Sequence, residues 1–256
     1  MATSTLITHC GAREVSREDL DKVETPPATA SWFPVKHATV IDTVSQGLTA
    51  SGFAIRSAKY ALSRGDARLF STVDLATALG TGVSLAVGIR NSTDKSLPLG
   101  FIAGSRVFVC DNLAFRSELL VRRKHTRNGA TRFQEAICQA VQSLQQFKEA
   151  EGERIRRFQA LELKDVQAES LMLRAYEKDV VSHRLLPRVI EEWRTPSFEE
   201  FAPRTLWSLF NAFTTCLAER QRTDPQRFAA LTIRLQDLLG REAGFPATEA
   251  VPTTAA

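Results

Sequence analysis

Large apolar side chains are sparse over the first 31 residues, then fall in a helix-spaced segment, a series of β-branched and aromatic stretches between turn residues, and finally a long region spaced in threes and fours. The first 31 residues, with Pro26 and Pro27, are predicted to be a peripheral, flexible arm holding one short helix capped by Ser16. Over residues 36–50 the spacing of Val40, Ile41, Val44 and Leu48 predicts a helix, with Gly52 just beyond its stop. Residues 53–61, 67–73, 83–90, 99–109 and 118–123 are rich in β-branched and aromatic side chains between turn residues and are predicted strands. Residues 74–80 read as one helical turn. Arg64-Gly65-Asp66 and the run from Asn91 to Ser96 are turn chemistry too brief for a crossover helix, so neighbouring strands should be mainly antiparallel.

After Gly129 the apolar positions Phe133, Ile137, Ala140, Val141, Leu144, Phe147, Ile155 and Phe158 recur in threes and fours, as one face of a long amphipathic helix requires. Asp165 caps a second helix through Leu171, Leu173 and Tyr176; Pro187 and Pro196 punctuate; residues 205–219 and 225–239 supply two more. The predicted fold class is α+β: a mainly antiparallel sheet packed by a long helix, followed by a helical C-terminal part. It forms a single domain over residues 32–240, with the sheet at about 52–124, the helices at about 130–240 and a disordered tail at 241–256. The stripe Leu206, Trp207, Leu209, Phe210 and Phe213 reads as core, with a dimer contact as its alternative use.

Composition removes several classes. A chain of 256 residues with 43% apolar and 24% charged content is neither disordered nor fibrous. No apolar run is long enough to span a bilayer, and Arg13, Glu14, Arg17, Glu18 and Asp19 interrupt any secretory h-region, so a cytoplasmic protein without membrane partners is expected. Cys10, Cys110, Cys138 and Cys216 lie far apart and read as reduced thiols. No P-loop string is present; Gly80-Thr81-Gly82 lacks the third glycine of a dinucleotide fingerprint and reads as a turn. His9, His37, His125 and His183 are isolated from one another, G-x-S-x-G is absent, and no metal or other cofactor is expected.

Charge is unevenly distributed along the chain. Net charge is +4, and the segment from Arg116 to Glu135 alone holds Arg116, Arg122, Arg123, Lys124, Arg127 and Arg132 against Glu118 and Glu135, an excess equal to that of the whole chain. Such clustering favours association with polyanions.

Three strings stand in order: Gly88-Ile89-Arg90-Asn91-Ser92-Thr93-Asp94-Lys95, then Ala103-Gly104-Ser105-Arg106-Val107-Phe108-Val109-Cys110-Asp111-Asn112-Leu113-Ala114-Phe115, then Arg123-Lys124-His125-Thr126-Arg127. Together with Trp207-Ser208-Leu209-Phe210-Asn211-Ala212-Phe213-Thr214 they resemble the domain-of-unknown-function 932 family, bacterial proteins often carried by phages and plasmids. The resemblance runs from about Trp32 to Leu239 and implies a shared fold and a mobile-element setting, but no reaction. The family loop usually reads asparagine, serine, histidine, aspartate. Here Thr93 stands at the histidine place, which removes a metal or acid–base role there.

Three functions follow as expectations. In the first, a non-catalytic accessory protein binds DNA or RNA, with Arg122, Arg123, Lys124, Arg127, Arg132 and Lys95 on phosphates. In the second, an enzyme acts on nucleotides or nucleic acid through a polar site of Arg90, Asn91, Asp94, Arg106, Asp111, Asn112 and His125 gathered at one sheet rim. In the third, a protein-interaction or defence-countering factor, or a homo-oligomer, uses the Trp207 helix as its contact. The polar residues also have a bland use, since Asn, Asp and Ser close hairpins and charged edges guard sheets.

Overall fold

From β2 onward short connections make each strand pair with its successor, and β1 joins at the β2 edge, so the sheet is a six-stranded antiparallel one in the order β1-β2-β3-β4-β5-β6. The computed structural model describes residues 12–107, 113–223 and 225–246. Its strands are β1 (Arg13–Val15), β2 (Ile55–Ser63), β3 (Arg68–Gly80), β4 (Val83–Ser92), β5 (Leu99–Val107) and β6 (Leu113–Arg123). Two helices, α1 (Arg17–Lys22) and α2 (His37–Ala50), lie between β1 and β2 in sequence. Five more follow the sheet: α3 (Gly129–Ala160), α4 (Asp165–Glu177), α5 (Leu186–Arg194), α6 (Leu206–Thr223) and α7 (Pro225–Glu242).

Because successive side chains of a strand point to opposite faces, the register divides the sheet into an apolar and a polar side. Rows such as Ala58–Val73–Val87–Ala103 and Tyr60–Ser71–Ile89–Phe101–Val121 belong to the first. The strand side chains that join the main core with α2 and α3 come from this side. The other side carries Lys59–Thr72–Gly88–Ile102 in one row and Ala61–Phe70–Arg90–Gly100 in the next. Arg90 lies flat across Gly100, where a Cβ would stand 2.8 Å from the Arg90 Cγ.

Helix α3 has 32 residues, about 48 Å of length, and runs from one rim of the sheet to the other. Its start abuts the end of β6: a Cβ on Gly129 would meet the Lys124 carbonyl oxygen at 2.6 Å. Farther along, a Cβ on Gly152 would stand 3.1 Å from the Leu79 carbonyl oxygen. Glu151 and Arg154 form a buried ion pair in the same stretch, with side-chain exposures of 2% and 7%.

Several expectations need correction. Residues 74–80 are not a helical turn; β3 continues through them with register shifts between Asp74, Ala78 and Gly80. Leu75, Ala76, Ala78 and Leu79 are helix formers, and cross-strand pairing overrides that preference. Residues 13–22 do not hang loose. Ser16 does cap α1, with Asp19 completing a capping box, but Val15 and Leu20 are buried and β1 pairs with β2. Residues 1–11 and 247–256, with Cys10 and Cys110, lie outside the described residues.

In the helical part, Asp165 is the first residue of α4 rather than its cap, and its Oδ1 accepts a 3.0 Å hydrogen bond from the Trp193 indole N–H. Leu173 and Tyr176 are exposed, and with Val166 they form the outward face of α4. Pro187 opens α5 instead of breaking the chain, as proline can in a first helical turn. The Trp207 stripe is core: Leu206, Trp207, Leu209, Phe210 and Phe213 are all buried, with α6 contacting α3, α5 and α7. Those side chains are therefore spent inside the protein and offer no surface for a dimer or another partner. Among the described residues no helix is long and apolar enough to cross a membrane.

Candidate functional site

Strands β2, β4 and β6 all end at one rim, so the loops after Ser63, Ser92 and Arg123 emerge together although they are far apart in sequence. The segment before α2 crosses the same rim. The Phe33 N–H donates to the His125 carbonyl at 3.1 Å, and the Asn91 side-chain amide donates to the Val35 carbonyl at 2.7 Å.

Asn91 was expected in a turn but is a fully buried residue of β4, and the pleat sends it away from Arg90 to the opposite face. Its amide also donates to His37 Nδ1 at 2.9 Å. With Nδ1 accepting, His37 is the neutral tautomer that donates from Nε2 to the Asp66 carbonyl at 3.0 Å. Burial pushes the His37 pKa down, against the Asp66 carbonyl, which favours the charged form. One side chain thus ties α2, β4 and the β2–β3 loop.

Asp94 folds its own loop. Its Oδ1 accepts from the Ser96 N–H at 3.0 Å and from the Ser96 hydroxyl. Its Oδ2 takes Arg68 Nε at 3.3 Å, with Arg64 Nη1 at 3.8 Å. Burial opposes ionisation of this carboxyl, but the Ser96 hydrogen bonds and the Arg68 charge prevail and hold its pKa below the ordinary value. Lys95, at φ +66°, is thrown outward, and its Nζ lies 5.4 Å from the centre of the Trp32 ring.

His125 is buried, with its ring centre 6.3 Å from that of Trp32. Burial lowers its pKa; the Leu97 and Phe33 backbones favour the charged form, yet neither ring nitrogen closes a hydrogen bond of ordinary geometry. No hydrogen bond joins it to Asp94 among the described residues. Around it the chain makes two tight steps, Thr126 N–H to Lys124 O at 3.0 Å and Gly129 N–H to Thr126 O at 2.8 Å, before α3 begins.

The expected polar site therefore divides. Asn91, Asp94 and His125 share the rim. Arg90 lies on the polar sheet face. Arg106 pairs with Ser84 at the opposite end of the sheet, six residues or about 20 Å along β5 from Gly100, which pairs with Arg90. Asp111 and Asn112 lie outside the described residues, and of Arg106 and Arg122 only the backbone is described. Among the described residues no three His, Cys, Asp or Glu side chains are grouped to hold a metal ion.

Of the basic residues, Lys95, Arg123, Lys124, Arg127 and Arg132 are exposed. Arg127 places its guanidinium 5.9 Å from the centre of the Phe33 ring. Lys95, Lys124, Arg127 and Arg132 have no carboxylate partner among the described residues, nor has exposed Lys36 at the start of α2. Asp94, the acidic residue closest to Lys95 in sequence, is already taken by Arg68 and Arg64.

The sequence profile of the domain of unknown function DUF932 matches residues 28–239, most of the chain and all of the sheet from β2 onward. The chain belongs to the DUF932 family. No curated protein and no solved structure matches it. In this DUF932 chain the matched span begins just before Trp32 and so includes the strap that carries Trp32, Phe33 and Lys36 onto the rim. No role was expected of those three residues or of Arg68, and His37 was set aside as an isolated histidine. Their signal was weak: an aromatic pair followed by Pro34 outside any periodic segment. At the far rim, a cavity of about 200 Å³ is lined by Thr81, Gln159, Glu200, Phe201, Trp207 and Ser208 among others, and no residue expected to act in the site reaches it.

Proposed function

We propose that this DUF932 protein is a non-catalytic nucleic-acid-binding accessory factor, of the mobile-element kind implied by its family, that holds phosphates at the rim of its sheet. The observation that carries the reading is a group of exposed cations, Lys36, Lys95, Lys124, Arg127 and Arg132, left without carboxylate partners among the described residues. Surface cations that are not neutralised locally attract a polyanion, and each phosphate they contact releases a counterion. A catalytic reading finds less support: the Asp94 carboxylate is committed to Ser96 and Arg68, and the His125 ring is buried against Trp32.

The test is a salt-titrated binding assay with the wild type and the Lys124→Glu/Arg127→Glu/Arg132→Glu variant. Loss of three phosphate contacts flattens the slope of log affinity against log salt by about 2 to 3. Equal affinity and equal slope for the two proteins would take these residues out of the function. Binding by neither at low salt would turn attention to a protein partner.

A further inference from the structure

Trp32 and Phe33 are only half-buried, and each has a cation over its ring, Lys95 at 5.4 Å and Arg127 at 5.9 Å. The rings are mounted rigidly. The Trp32 carbonyl accepts from the Thr29 N–H at 2.8 Å, Phe33 is fixed to the His125 carbonyl at 3.1 Å, and the indole leans on the His125 ring. Lys95, by contrast, is an exposed side chain with no ion pair among the described residues. The rim therefore joins fixed aromatic surfaces to movable positive charge.

A duplex hides the faces of its bases, whereas a single strand presents them. A cation over an exposed ring is worth about 2- to 5-fold in an equilibrium. A base stacked on an aromatic side chain is worth about 5- to 150-fold, so a base outcompetes the ammonium for the ring. The displaced ammonium then stands beside the strand's own phosphates. We infer that the rim takes single-stranded nucleic acid, with an unpaired base stacked on Trp32 in place of Lys95 and the adjoining phosphates held by Lys95, Lys124 and Arg127. This rests on the phosphate-binding reading of the same rim. The stacking chemistry is common to DNA and RNA.

The experiment titrates the full-length protein at low salt with oligothymidylate, oligouridylate and a duplex of the same length, following tryptophan fluorescence. The chain has three tryptophans, and Trp193 and Trp207 are 2% and 7% exposed, so quenching on binding reports Trp32. Single strands should bind at least about 5-fold more tightly than the duplex and quench the emission. Trp32→Leu should lose about 5- to 150-fold on single strands and nothing on the duplex, while Trp32→Phe retains most of the preference. Unchanged thermal melting of both variants separates this from misfolding, and the wild-type quenching does not depend on either variant. Equal affinity for single strand and duplex, or full single-strand affinity in Trp32→Leu, overturns the stacking role while the phosphate reading stands. Absence of binding to all three ligands overturns both. Preference between the two single strands distinguishes DNA from RNA.

Discussion

Glu151 and Arg154 pair one helical turn apart on the inner side of α3, where Gly152 lies against the Leu79 carbonyl. Replacing Glu151 by alanine would leave the Arg154 guanidinium enclosed at 7% exposure without its carboxylate. The Phe158 ring, 5.6 Å from the guanidinium carbon, recovers only a little of that charge's lost solvation. Removing one partner of a buried pair costs about 3 to 5 kcal/mol, a large part of the 5 to 15 kcal/mol that holds a typical domain together. For a chain of this size the melting temperature should fall by about 6 to 20 °C. Urea unfolding at constant m-value measures the loss directly. The Glu151→Met/Arg154→Leu double variant should recover most of it, because both charges then leave the core together. A Glu151→Ala protein within about 1 kcal/mol of wild type, or a double variant as unstable as the single one, would refute the argument. Since the pair sits toward the far rim, polyanion affinity per folded molecule should not change.

Two further outcomes follow from the buried titrating groups. His37 and His125 are both held neutral by burial, below their ordinary value of 6.5, so the unfolded chain binds protons that the folded chain refuses. Their contribution to stability is full above about pH 6.5 and is lost as pH falls through that value toward the folded pKa values. Protonated His37 would also turn an N–H toward the Asn91 amide. Melting temperature should drop between pH 7.5 and 5.5 and drop less in His37→Gln and His125→Gln; a flat profile in the wild type would end this reading. The Cys216 thiol is buried and pushed up to about 11, whereas Cys138 is exposed. In variants retaining one or the other, an aromatic disulfide reagent at pH 8 should label Cys138 within minutes and Cys216 only on unfolding. Equal rates would contradict the burial.

The fold was legible where one local signal dominated. Stretches rich in β-branched and aromatic residues, bounded by Arg64-Gly65-Asp66 and Thr81-Gly82, located the hairpins, and the spacing from Phe133 to Phe158 located α3. Elements decided by their partners were not legible: β1 has three residues and no alternation to read, and the end of β3 is a strand only because β4 pairs with it. The basic residues of the rim could be counted in the sequence, but their neighbours could not. Trp32 reaches Lys95 only because β4 and the strap before α2 end at the same place. The separation of Arg90 from Asn91 was readable in principle from strand pleat, and the removal of Arg106 to the far rim from counting along a hairpin. Grouping them by kinship of motif instead of by register hid both.

Successive pairing from β2 to β6 also governs how the chain reaches its shape. Each of these ribbons can zip onto the last as soon as it leaves the ribosome, with only a short segment to close, and relative contact order stays low for so much sheet. Docking of β1 is the exception, since Arg13 meets Leu62 across nearly fifty intervening positions. The amino-terminal edge should be the first part to open and the last to protect its amides from exchange, and its opening breaks the Arg13–Asp66 ion pair that ties it to the β2–β3 loop of the rim.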